Sequence, residues 1–436
     1  MENGSRRRHE QAFLVAVEHD ESESLWSVED SLNELGTLAR TAGADVVGSM
    51  IQRMRHPDVA TYIGKGRAQE LCDTEKQLHL DLVIFDDELS PSQQRNLEKM
   101  LNARVLDRTA LILDIFAQHA RTREGRLQVE LAQLEYRLPR LAGRGVDLSR
   151  QAGGSRSASA GGAGAGGAIG VRGPGETKLE IDRRRIRSRI SELREEIEAV
   201  REQRKTHRMQ RTAQSMPVIA VVGYTNAGKS TLFNALTEAE VVAENKLFAT
   251  LDPTTRHILL PNNQEALLTD TVGFIQKLPT KLIASFRATL EEVIDADMLL
   301  EVVDVSHENA IEQSETVSDV LNELEAGDKP RVTALNKIDL LEGEDPSELD
   351  TTLYPNAVPV SALQKVGMDA LREKIAAVLA SSMEAMRVLI PFDKSELVEL
   401  FHRRGHVEQE EHMPDGTLLA GRIPRSLKGY YMGYKV

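Results

Sequence analysis

The chain is predicted to be a multidomain α/β protein, and three observations lead to this prediction. Its 436 residues exceed what one hydrophobic core usually holds, so two to four domains are expected. Apolar runs alternate with helical patterns in two regions, 12–115 and 216–383, which is typical of parallel sheets covered by helices. Between these regions, leucine and isoleucine recur at helical spacing in two long segments.

These patterns predict four regions, which differ in composition and periodicity. They are an N-terminal parallel α/β domain over 1–122, a long antiparallel helical hairpin over 123–215, a nucleotide-binding domain over 216–383 and a small C-terminal α+β domain over 384–436. In the last region, a strand, a helix and a two-strand hairpin around Pro414-Asp-Gly416 predict a β-α-β-β unit, in which no residue looks catalytic.

Composition limits the compartment and the chemistry. No apolar run approaches the ~20 residues that span a bilayer, and the polar N-terminus lacks the apolar core of a signal peptide. Cys72 is the only cysteine, which excludes a disulfide framework and a cysteine-based metal site, and it is expected to be a small apolar filler on a helix. We therefore expect a cytoplasmic monomer without stable membrane insertion.

The charge is unevenly distributed along the chain. The net charge is −14, and residues 216–383 carry 12 Lys and Arg against 27 Asp and Glu. Residues 137–190 show the opposite bias, with 12 Lys and Arg against 4 Asp and Glu. One basic block on an acidic chain is a candidate nucleic-acid contact, although a solvated helix face also explains part of it.

In the N-terminal region, four apolar runs predict buried strands at 13–17, 44–50, 82–85 and 104–106. Helices are predicted at 28–42, 67–78 and 92–101, the last of them opened by Ser90 as N-cap and Pro91 in the first turn. The stretch Tyr62-Ile-Gly-Lys-Gly66 falls at a turn. A plain glycine turn is the simpler interpretation, and a phosphate or RNA contact by Lys65 is the alternative.

The hairpin is predicted from two apolar stripes that can bury each other. The first stripe consists of Leu127, Leu131, Leu134, Leu138 and Leu141, and the second of Leu179, Ile186, Ile190, Leu193, Ile197 and Val200. The connecting tip, 143–175, is so rich in Gly, Ala and Ser that it cannot offset its ordering entropy alone.

The tip itself carries arginines, and more follow at the start of the next helix, which suits an arm that becomes ordered on structured RNA. The predicted RNA-contacting residues are Arg144, Arg150, Arg156, Arg172, Arg183 and Arg184, the last two followed by Arg185. An inert low-complexity insertion stays an open alternative for the Gly/Ala stretch 152–168.

A phosphate loop is predicted at Gly223-Tyr-Thr-Asn-Ala-Gly-Lys-Ser-Thr231. It follows the apolar run 218–222 and precedes the helical pattern 232–236, which is the strand–loop–helix context that the motif requires. The glycines let backbone N–H groups converge on phosphate oxygens. Lys229 can reach the β- and γ-phosphates, and Ser230 can bind Mg²⁺. The chain is thus predicted to bind a nucleoside triphosphate.

Three further motifs follow apolar runs and so lie where an open α/β sheet presents its ligand crevice. Asp270, in Asp270-Thr-Val-Gly273, is placed like the second Mg²⁺ anchor of phosphate-loop enzymes, and the Gly273 N–H could contact the γ-phosphate. In Asn336-Lys-Ile-Asp339, the Asp339 carboxylate can accept two hydrogen bonds from guanine, which adenine cannot donate. Ser361-Ala-Leu363 offers a backbone N–H to guanine O6.

At this point the sequence resembles the HflX family of ribosome-associated GTPases over nearly its full length. The matching stretches are GYTNAGKSTLFNALT (223–237), LFATLDPTTR (247–256), TDTVGFIQKLP (269–279), NKID (336–339), DRTALILDIFAQHARTREGRLQVELAQL (107–134) and RGPGETKLEIDRR (172–184). The last two are specific to the family rather than to GTPases at large. The Gly/Ala stretch at 152–168 departs from the family by being longer than its usual hairpin tip.

The resemblance implies a Ras-like G domain and a hairpin that enters the peptidyl-transferase region of the large ribosomal subunit. It also implies that Thr250 is the switch threonine that binds Mg²⁺ in the GTP state, whereas the residues alone leave Thr254 and Thr255 open. The full predicted GTP site is Gly223, Tyr224, Thr225, Asn226, Ala227, Gly228, Lys229, Ser230, Thr231, Phe248, Ala249, Thr250, Leu251, Asp252, Asp270, Thr271, Val272, Gly273, Asn336, Lys337, Ile338, Asp339, Ser361, Ala362 and Leu363, with Ser230, Thr250 and (through water) Asp270 holding Mg²⁺.

Two positions carry further hypotheses. Phe274 stands where Ras-like GTPases have the Gln that orients the attacking water, so slow intrinsic hydrolysis raised by the ribosome is expected unless another residue compensates. Asn226 stands where some cation-dependent GTPases hold K⁺ against the phosphates, and a purely bracing Asn is the alternative.

The sequence therefore predicts a GTP-hydrolysing switch whose partners are the 50S ribosomal subunit and 23S rRNA, linked by resemblance to splitting or rescue of stalled ribosomes. The alternative is an RNA-binding or ribosome-biogenesis module in which nucleotide only tunes affinity. A small-molecule phosphotransferase lacks a recognisable acceptor site, and no second phosphate loop precedes residue 216.

Overall fold

The computed structural model describes residues 9–19, 26–141, 174–214, 216–237, 247–248, 250–261, 264–277, 287–341, 350–423 and 427–436. Contacts divide the chain into two compact units, the first reaching Val200 and the second beginning at Arg201. None of the helices in the described ranges combines the length and the apolarity that crossing a bilayer requires.

The first unit contains the parallel sheet that the sequence predicts. Its strands are β1 (Glu10–His19), β2 (Ala44–Met54), β3 (Leu82–Phe85) and β4 (Arg104–Asp107). They are arranged β2-β1-β3-β4, all parallel, with helices α1 (Val28–Thr41), α2 (Lys65–Leu78) and α3 (Pro91–Met100) between them in sequence. The prediction of a parallel α/β sheet is confirmed.

Local sequence chemistry explains where two of these helices begin. Ser90 caps α3 in a reciprocal capping box with Gln93, and Pro91 occupies the first turn, as predicted. Gly64 is the N-cap of α2 and makes no side-chain hydrogen bond, and Lys65 and Gly66 are the first helical residues. Cys72 is buried on α2, as expected of an apolar filler, and its Sγ lies 3.4 Å from the Met100 carbonyl oxygen.

Three further helices begin in this unit: α4 (Arg108–His119), α5 (Arg123–Arg140) and α6 (Pro174–Gln214). Eight residues of the two predicted stripes form one apolar cluster, with Leu127, Leu131, Ile190 and Leu193 buried and Leu134, Leu138, Ile186 and Ile197 packed against them. An ion pair between Arg189 Nε and Glu130 Oε1, at 2.9 Å, lies beside this cluster.

The first hairpin helix is anchored to the end of the parallel sheet. Asp107, the last residue of β4, is almost fully buried and accepts hydrogen bonds from Tyr136 Oη at 2.8 Å and from Arg140 Nη2 at 3.0 Å. The Arg140 guanidinium also lies 3.5 Å from the Tyr136 ring centroid. Because a buried, fully paired carboxylate holds its partners in one geometry, α5 leaves the sheet in a defined direction.

The second unit is built around a six-stranded sheet with the order β10-β9-β8-β5-β7-β6. Its strands are β5 (Val218–Gly223), β6 (Thr254–Leu259), β7 (Glu265–Asp270), β8 (Met298–Asp304), β9 (Arg331–Asn336) and β10 (Val358–Pro359). All neighbours are parallel except β6, which runs antiparallel to β7. The helices are α7 (Lys229–Thr237), α8 (Arg287–Ile294), α9 (Ala310–Glu323) and α10 (Met368–Ser382).

This sheet positions the site because β5, β7, β8 and β9 all end at the same edge. Each central strand is almost wholly buried, so the polar residue that follows it is presented at the boundary of a rigid layer. The loops after β5, β7 and β9 carry three of the four predicted nucleotide motifs, and the fourth, Ser361-Ala-Leu363, follows β10.

A three-stranded antiparallel sheet follows, with the order β11-β13-β12. It consists of β11 (Glu384–Ile390), β12 (His406–Met413) and β13 (Gly416–Ile423), with α11 (Ser395–Arg404) packed on it and α12 (Lys428–Tyr431) near the C-terminus. Short 3₁₀ turns occur at Ile338–Leu340, Thr351–Leu353, Phe392–Lys394 and Met432–Tyr434. The predicted β-α-β-β order is present.

Candidate nucleotide-binding site

The phosphate loop connects buried β5 to α7, and two of its glycines are required by geometry. Gly223 has φ +144°, and a Cβ there would lie 2.4 Å from the carbonyl oxygen of Val302. Gly228 has φ +96°, and a Cβ there would lie 2.3 Å from Asn336 Nδ2. L-residues with a side chain rarely adopt such φ values. Glycine therefore lets the loop turn so that its N–H groups point at a phosphate bound at the N-terminus of α7.

Lys229 is the first residue of α7 and is 7% exposed. Its Nζ donates a hydrogen bond to the carbonyl oxygen of Tyr224 at 2.6 Å. Burial lowers the pKa of this ammonium to about 8, and the charge of Asp270 opposes that shift. A buried cation of this kind gains most from an anion placed against it, which is what a nucleotide phosphate supplies.

Three oxygens meet beside Lys229, and two of them come from outside the phosphate loop. Ser230 Oγ lies 2.8 Å from Asp270 Oδ2 and 2.9 Å from Thr250 Oγ1. Thr250 Oγ1 is also 2.9 Å from Asp270 Oδ2. By contrast, Thr254 and Thr255 lie in β6, where the Thr255 hydroxyl bonds that of Thr269.

This cluster fits a hard divalent cation. Asp270 is fully buried, burial raises its pKa, and its Oδ1 has no hydrogen-bond partner within the described part of the chain. A buried carboxylate oxygen left without a donor is costly, and a cation resolves that cost. Two hydroxyls and one carboxylate are oxygen ligands of the kind Mg²⁺ prefers alongside phosphate and water.

The segment after Asp270 lies directly against the phosphate loop. Phe274 N donates to the Gly223 carbonyl at 3.1 Å, and Thr225 N donates to the Phe274 carbonyl at 2.7 Å. The Tyr224 hydroxyl accepts a further bond from Gln276 N at 2.9 Å. The Phe274 ring is buried, with 2% exposure, so it cannot face a water in the cleft.

Asn336 links the phosphate loop to the base-recognition loop. It is 2% exposed, its Nδ2 donates to the Ala227 carbonyl at 2.8 Å, and its Oδ1 accepts from Ala362 N at 3.0 Å. Ala362 belongs to the stretch Ser361-Ala-Leu363, which is predicted to donate a backbone N–H to guanine O6. Its N–H therefore also donates to Asn336. Asp339 accepts a short hydrogen bond from Ser361 Oγ, so its carboxylate is oriented before any base is present.

Lys337 and Asp304 form a pair that sequence reasoning did not identify. Lys337 has φ +68°, and its Nζ lies 2.6 Å from Asp304 Oδ2. Asp304 is the last residue of β8 and is held by Ser306 through its other oxygen. The sequence signal that could have identified Asp304 is a carboxylate at the end of an apolar strand. The pair fixes the lysine stem along the wall of the cleft.

These groups line one cleft with a volume of about 360 Å³. Its lining residues are Thr225, Asn226, Gly228, Lys229, Ser230, Thr231, Phe248, Thr250, Thr271, Gly273, Asn336, Lys337, Asp339, Leu340, Ala362 and Leu363. All but Leu340 belong to the predicted GTP site. The remaining predicted residues Gly223, Tyr224, Ala227, Leu251, Asp252, Asp270, Val272, Ile338 and Ser361 are described but do not line it, and Ala249 lies outside the described residues.

Comparison with known proteins gives matches along most of the chain. Four family models match: "GTP-binding GTPase N-terminal" over 29–117, "GTP-binding GTPase Middle Region" over 119–211, "50S ribosome-binding GTPase" over 218–337 and "HflX C-terminal domain" over 350–423. GTPase HflX of Caldanaerobacter subterraneus is 46% identical over 422 residues, which is 97% of this chain and 93% of the relative. The chain belongs to the HflX family of GTPases.

Two further proteins are similar over comparable lengths. GTPase HflX of Escherichia coli is 40% identical over 95% of this chain and 94% of its own. A GTP-binding protein from Sulfolobus solfataricus, solved in complex with GDP, is 26% identical over 85% of this chain and 99% of its own, with a TM-score of 0.43. Because the chain belongs to the HflX family, its activity is GTP hydrolysis. The phosphate loop, the oxygen cluster and the Asp339 loop form the site for this reaction.

The predicted RNA-contacting arginines are only partly described. Arg183 and Arg184 lie on α6, the first half-buried and the second exposed, as is Arg185. Arg144, Arg150, Arg156 and Arg172, with the whole stretch 152–168, lie outside the described residues.

Proposed function

We propose that this protein is a GTP-driven switch that binds the large (50S) ribosomal subunit and splits or rescues stalled ribosomes. The observation that carries the proposal is the meeting of Thr250 and Asp270, from two separate loops, with Ser230 of the phosphate loop. Because those loops contribute to the triphosphate site, their order depends on which nucleotide is bound. The protein is proposed to act as a monomer in the cytoplasm.

At the phosphate end, each group has a defined task. The loop N–H groups and Lys229 neutralise the phosphates, and Ser230, Thr250 and Asp270 hold Mg²⁺, the last through water. Mg²⁺ held by these residues would offset the negative charge of the phosphates. The Gly273 N–H contacts the γ-phosphate and so distinguishes GTP from GDP.

At the base end, Asp339 accepts from guanine N1–H and the exocyclic amine, while Lys337 and Leu363 cover the ring faces. Asn336 keeps this loop at a fixed distance from the phosphate loop, since it bonds both. Guanine selection and phosphate binding are therefore parts of one rigid arrangement.

The ribosomal part of the proposal rests on family and charge. The G domain matches the family of 50S ribosome-binding GTPases, and the basic block 137–190 contrasts with the acidic G domain. The arginines at the hairpin tip, Arg144, Arg150, Arg156 and Arg172, together with Arg183 and Arg184, are proposed to contact 23S rRNA near the peptidyl-transferase centre. Arginine suits phosphate contact because its planar fork donates two parallel hydrogen bonds.

Slow intrinsic hydrolysis, raised by the ribosome, is expected from the buried Phe274 ring. Single-turnover GTP hydrolysis should rise by ~10³-fold or more when large subunits are added, because missing water-positioning groups are worth ~10³–10⁵ in rate. Small subunits serve as the control and should have no effect. Equal rates with and without large subunits would show that the free protein already holds a complete catalytic site.

The basic block also supports an RNA-binding module in which nucleotide only tunes affinity. Lys229→Ala separates the two functions, because it removes the buried cation that the phosphates require. A switch with this substitution should neither cycle nor split ribosomes, while its basic arm still binds isolated rRNA. Ribosome splitting at the wild-type level by this variant would favour the module.

We also propose that Asn226 helps to hold K⁺ against the phosphates. Its backbone has φ +62°, its side chain is exposed on the cleft, and within the described residues it braces nothing through a hydrogen bond. Hydrolysis should therefore be several-fold faster in K⁺ than in Na⁺ at equal ionic strength. Identical rates in the two salts exclude this role.

A further inference from the structure

Thr225 belongs to the phosphate loop and to the predicted GTP site, but the functions above assign no role to its side chain. Its backbone N–H is engaged with the Phe274 carbonyl at 2.7 Å, its side chain is 6% exposed, and it lines the cleft. A loop position that needed only to turn would be served by glycine or alanine. The side chain is therefore the feature to explain.

The Thr225 hydroxyl is buried and unpaired. Within the described residues its Oγ1 has no hydrogen-bond partner. Leaving a buried hydroxyl without a partner is unfavourable, because it loses its bonds to water and gains none in return. Among the described residues of this site, the comparable atom is Asp270 Oδ1, to which Mg²⁺ would supply a partner through its bound water. The hydroxyl accordingly calls for a partner that arrives with the ligand, and rotation about the Cα–Cβ bond would bring the buried Oγ1 to it.

Thr225 stands at the γ-phosphoryl end of the cleft. A Cβ built at Gly273 would lie 2.8 Å from Lys229 Nζ and 3.0 Å from both Cα and Cγ2 of Thr225. These three residues thus meet at one point, where the phosphate-loop lysine reaches the β- and γ-phosphates. The adjacent Phe274 ring is buried and presents no polar group there.

We propose that Thr225 is a catalytic residue, whose hydroxyl bonds the γ-phosphate or the water that attacks it. In the reaction the water oxygen bonds to the γ-phosphorus and the bond to the β-phosphate oxygen breaks, leaving GDP. Both water protons leave with inorganic phosphate, which releases one of them to solvent near neutral pH. Thr225 orients these atoms and is not consumed. The hydroxyl supplies part of the orientation that Phe274 cannot give.

Two matched variants test this on the free protein. Thr225→Val has the same shape and keeps the backbone N–H and the methyl group beside Gly273, but it lacks the hydroxyl. Thr225→Ser keeps the hydroxyl and loses the methyl group. Single-turnover hydrolysis should fall ~10–100-fold in the Val variant and stay within ~3-fold of wild type in the Ser variant, as the loss of a hydrogen bond to a charged group predicts.

Nucleotide affinity and stability distinguish catalysis from structure. The Val variant should bind GDP within ~2-fold of wild type, because GDP has no γ-phosphate. Without nucleotide, its midpoint of thermal unfolding should rise, since an unpaired buried hydroxyl has been removed. Wild-type hydrolysis in the Val variant, parallel losses in Val and Ser, or a parallel loss of GDP affinity would each overturn the assignment.

The inference rests on the proposed switch only through its hydrolysis step. Because no ribosomal component is present in these assays, failure of the ribosome proposal would leave their outcome unchanged. Conversely, loss of the Thr225 role would leave nucleotide-dependent ribosome binding untouched.

Discussion

The Asp339→Asn variant is expected to lose ~10²–10³-fold in GTP affinity and to gain affinity for xanthosine triphosphate. Asp339 offers two acceptor oxygens to two donors of guanine. An asparagine keeps one acceptor oxygen and replaces the other with an amide NH₂ group, which would face the exocyclic amine of guanine, donor against donor. Xanthine carries a carbonyl oxygen at that position, so the asparagine NH₂ group can donate a hydrogen bond to it.

The loop itself should survive this change. The bond from Ser361 Oγ goes to Asp339 Oδ1, and the asparagine oxygen can accept it equally. Asn336 does not touch Asp339 in its two described bonds, so the link to the phosphate loop is kept. The loss should therefore be specific for the base rather than a loss of folding.

Nucleotide titrations with GTP, ATP and xanthosine triphosphate measure the expected change in base preference. Asp369→Asn is the matched control, because its carboxylate is 94% exposed and pairs only at the surface with Arg372. It should leave all three affinities unchanged. If Asp339→Asn binds GTP as wild type does, or loses GTP without gaining the xanthosine nucleotide, Asp339 does not read the base.

The Gly273→Ala variant is expected to bind GDP normally but to lose ~10³-fold in ribosome-stimulated hydrolysis, the scale at which switch contacts act in such enzymes. Gly273 does not have a left-handed φ, so alanine can adopt its backbone dihedral angle without strain. Its methyl group would instead lie 2.8 Å from Lys229 Nζ and 3.0 Å from Thr225 Cα. Either the lysine or the Gly273 segment must move away from the γ-phosphate position.

Gly66→Ala is the matched control for this variant. A Cβ at Gly66 meets no heavy atom within 4 Å, and the residue lies in the first turn of α2 in the other unit. Hydrolysis and GDP binding should match wild type in the control. Full ribosomal stimulation of Gly273→Ala would mean that the switch does not pass through Gly273.

The sheet edge could be predicted from sequence because its signals are local. Buried parallel strands read as continuous apolar runs, and the motif after each run must lie at the carboxyl edge of the sheet. For this reason the sequence alone predicts that Ser230, Asp270 and Asn336 lie at one cleft. β6 was not predicted because Ile258 alone is buried among its six residues, so it has no apolar periodicity.

Contacts between distant residues could not be predicted in the same way. The Lys337–Asp304 pair joins residues 33 positions apart, and nothing in either local pattern names the other. The unpaired state of Thr225 Oγ1 is a property of packing, visible only once Gly273 and Phe274 lie against the phosphate loop. Sequence identified Thr225 as part of the motif but could not show that its hydroxyl lacks a partner.

The most direct test of the central claim is co-sedimentation of the protein with large ribosomal subunits, loaded either with GDP or with a non-hydrolysable GTP analogue. The proposed switch predicts clearly tighter binding with the analogue, because only a γ-phosphate orders the Thr250 and Gly273 segments together. Equal binding with the two nucleotides would contradict it, since a ligand that binds two states with equal affinity does not shift the equilibrium between them.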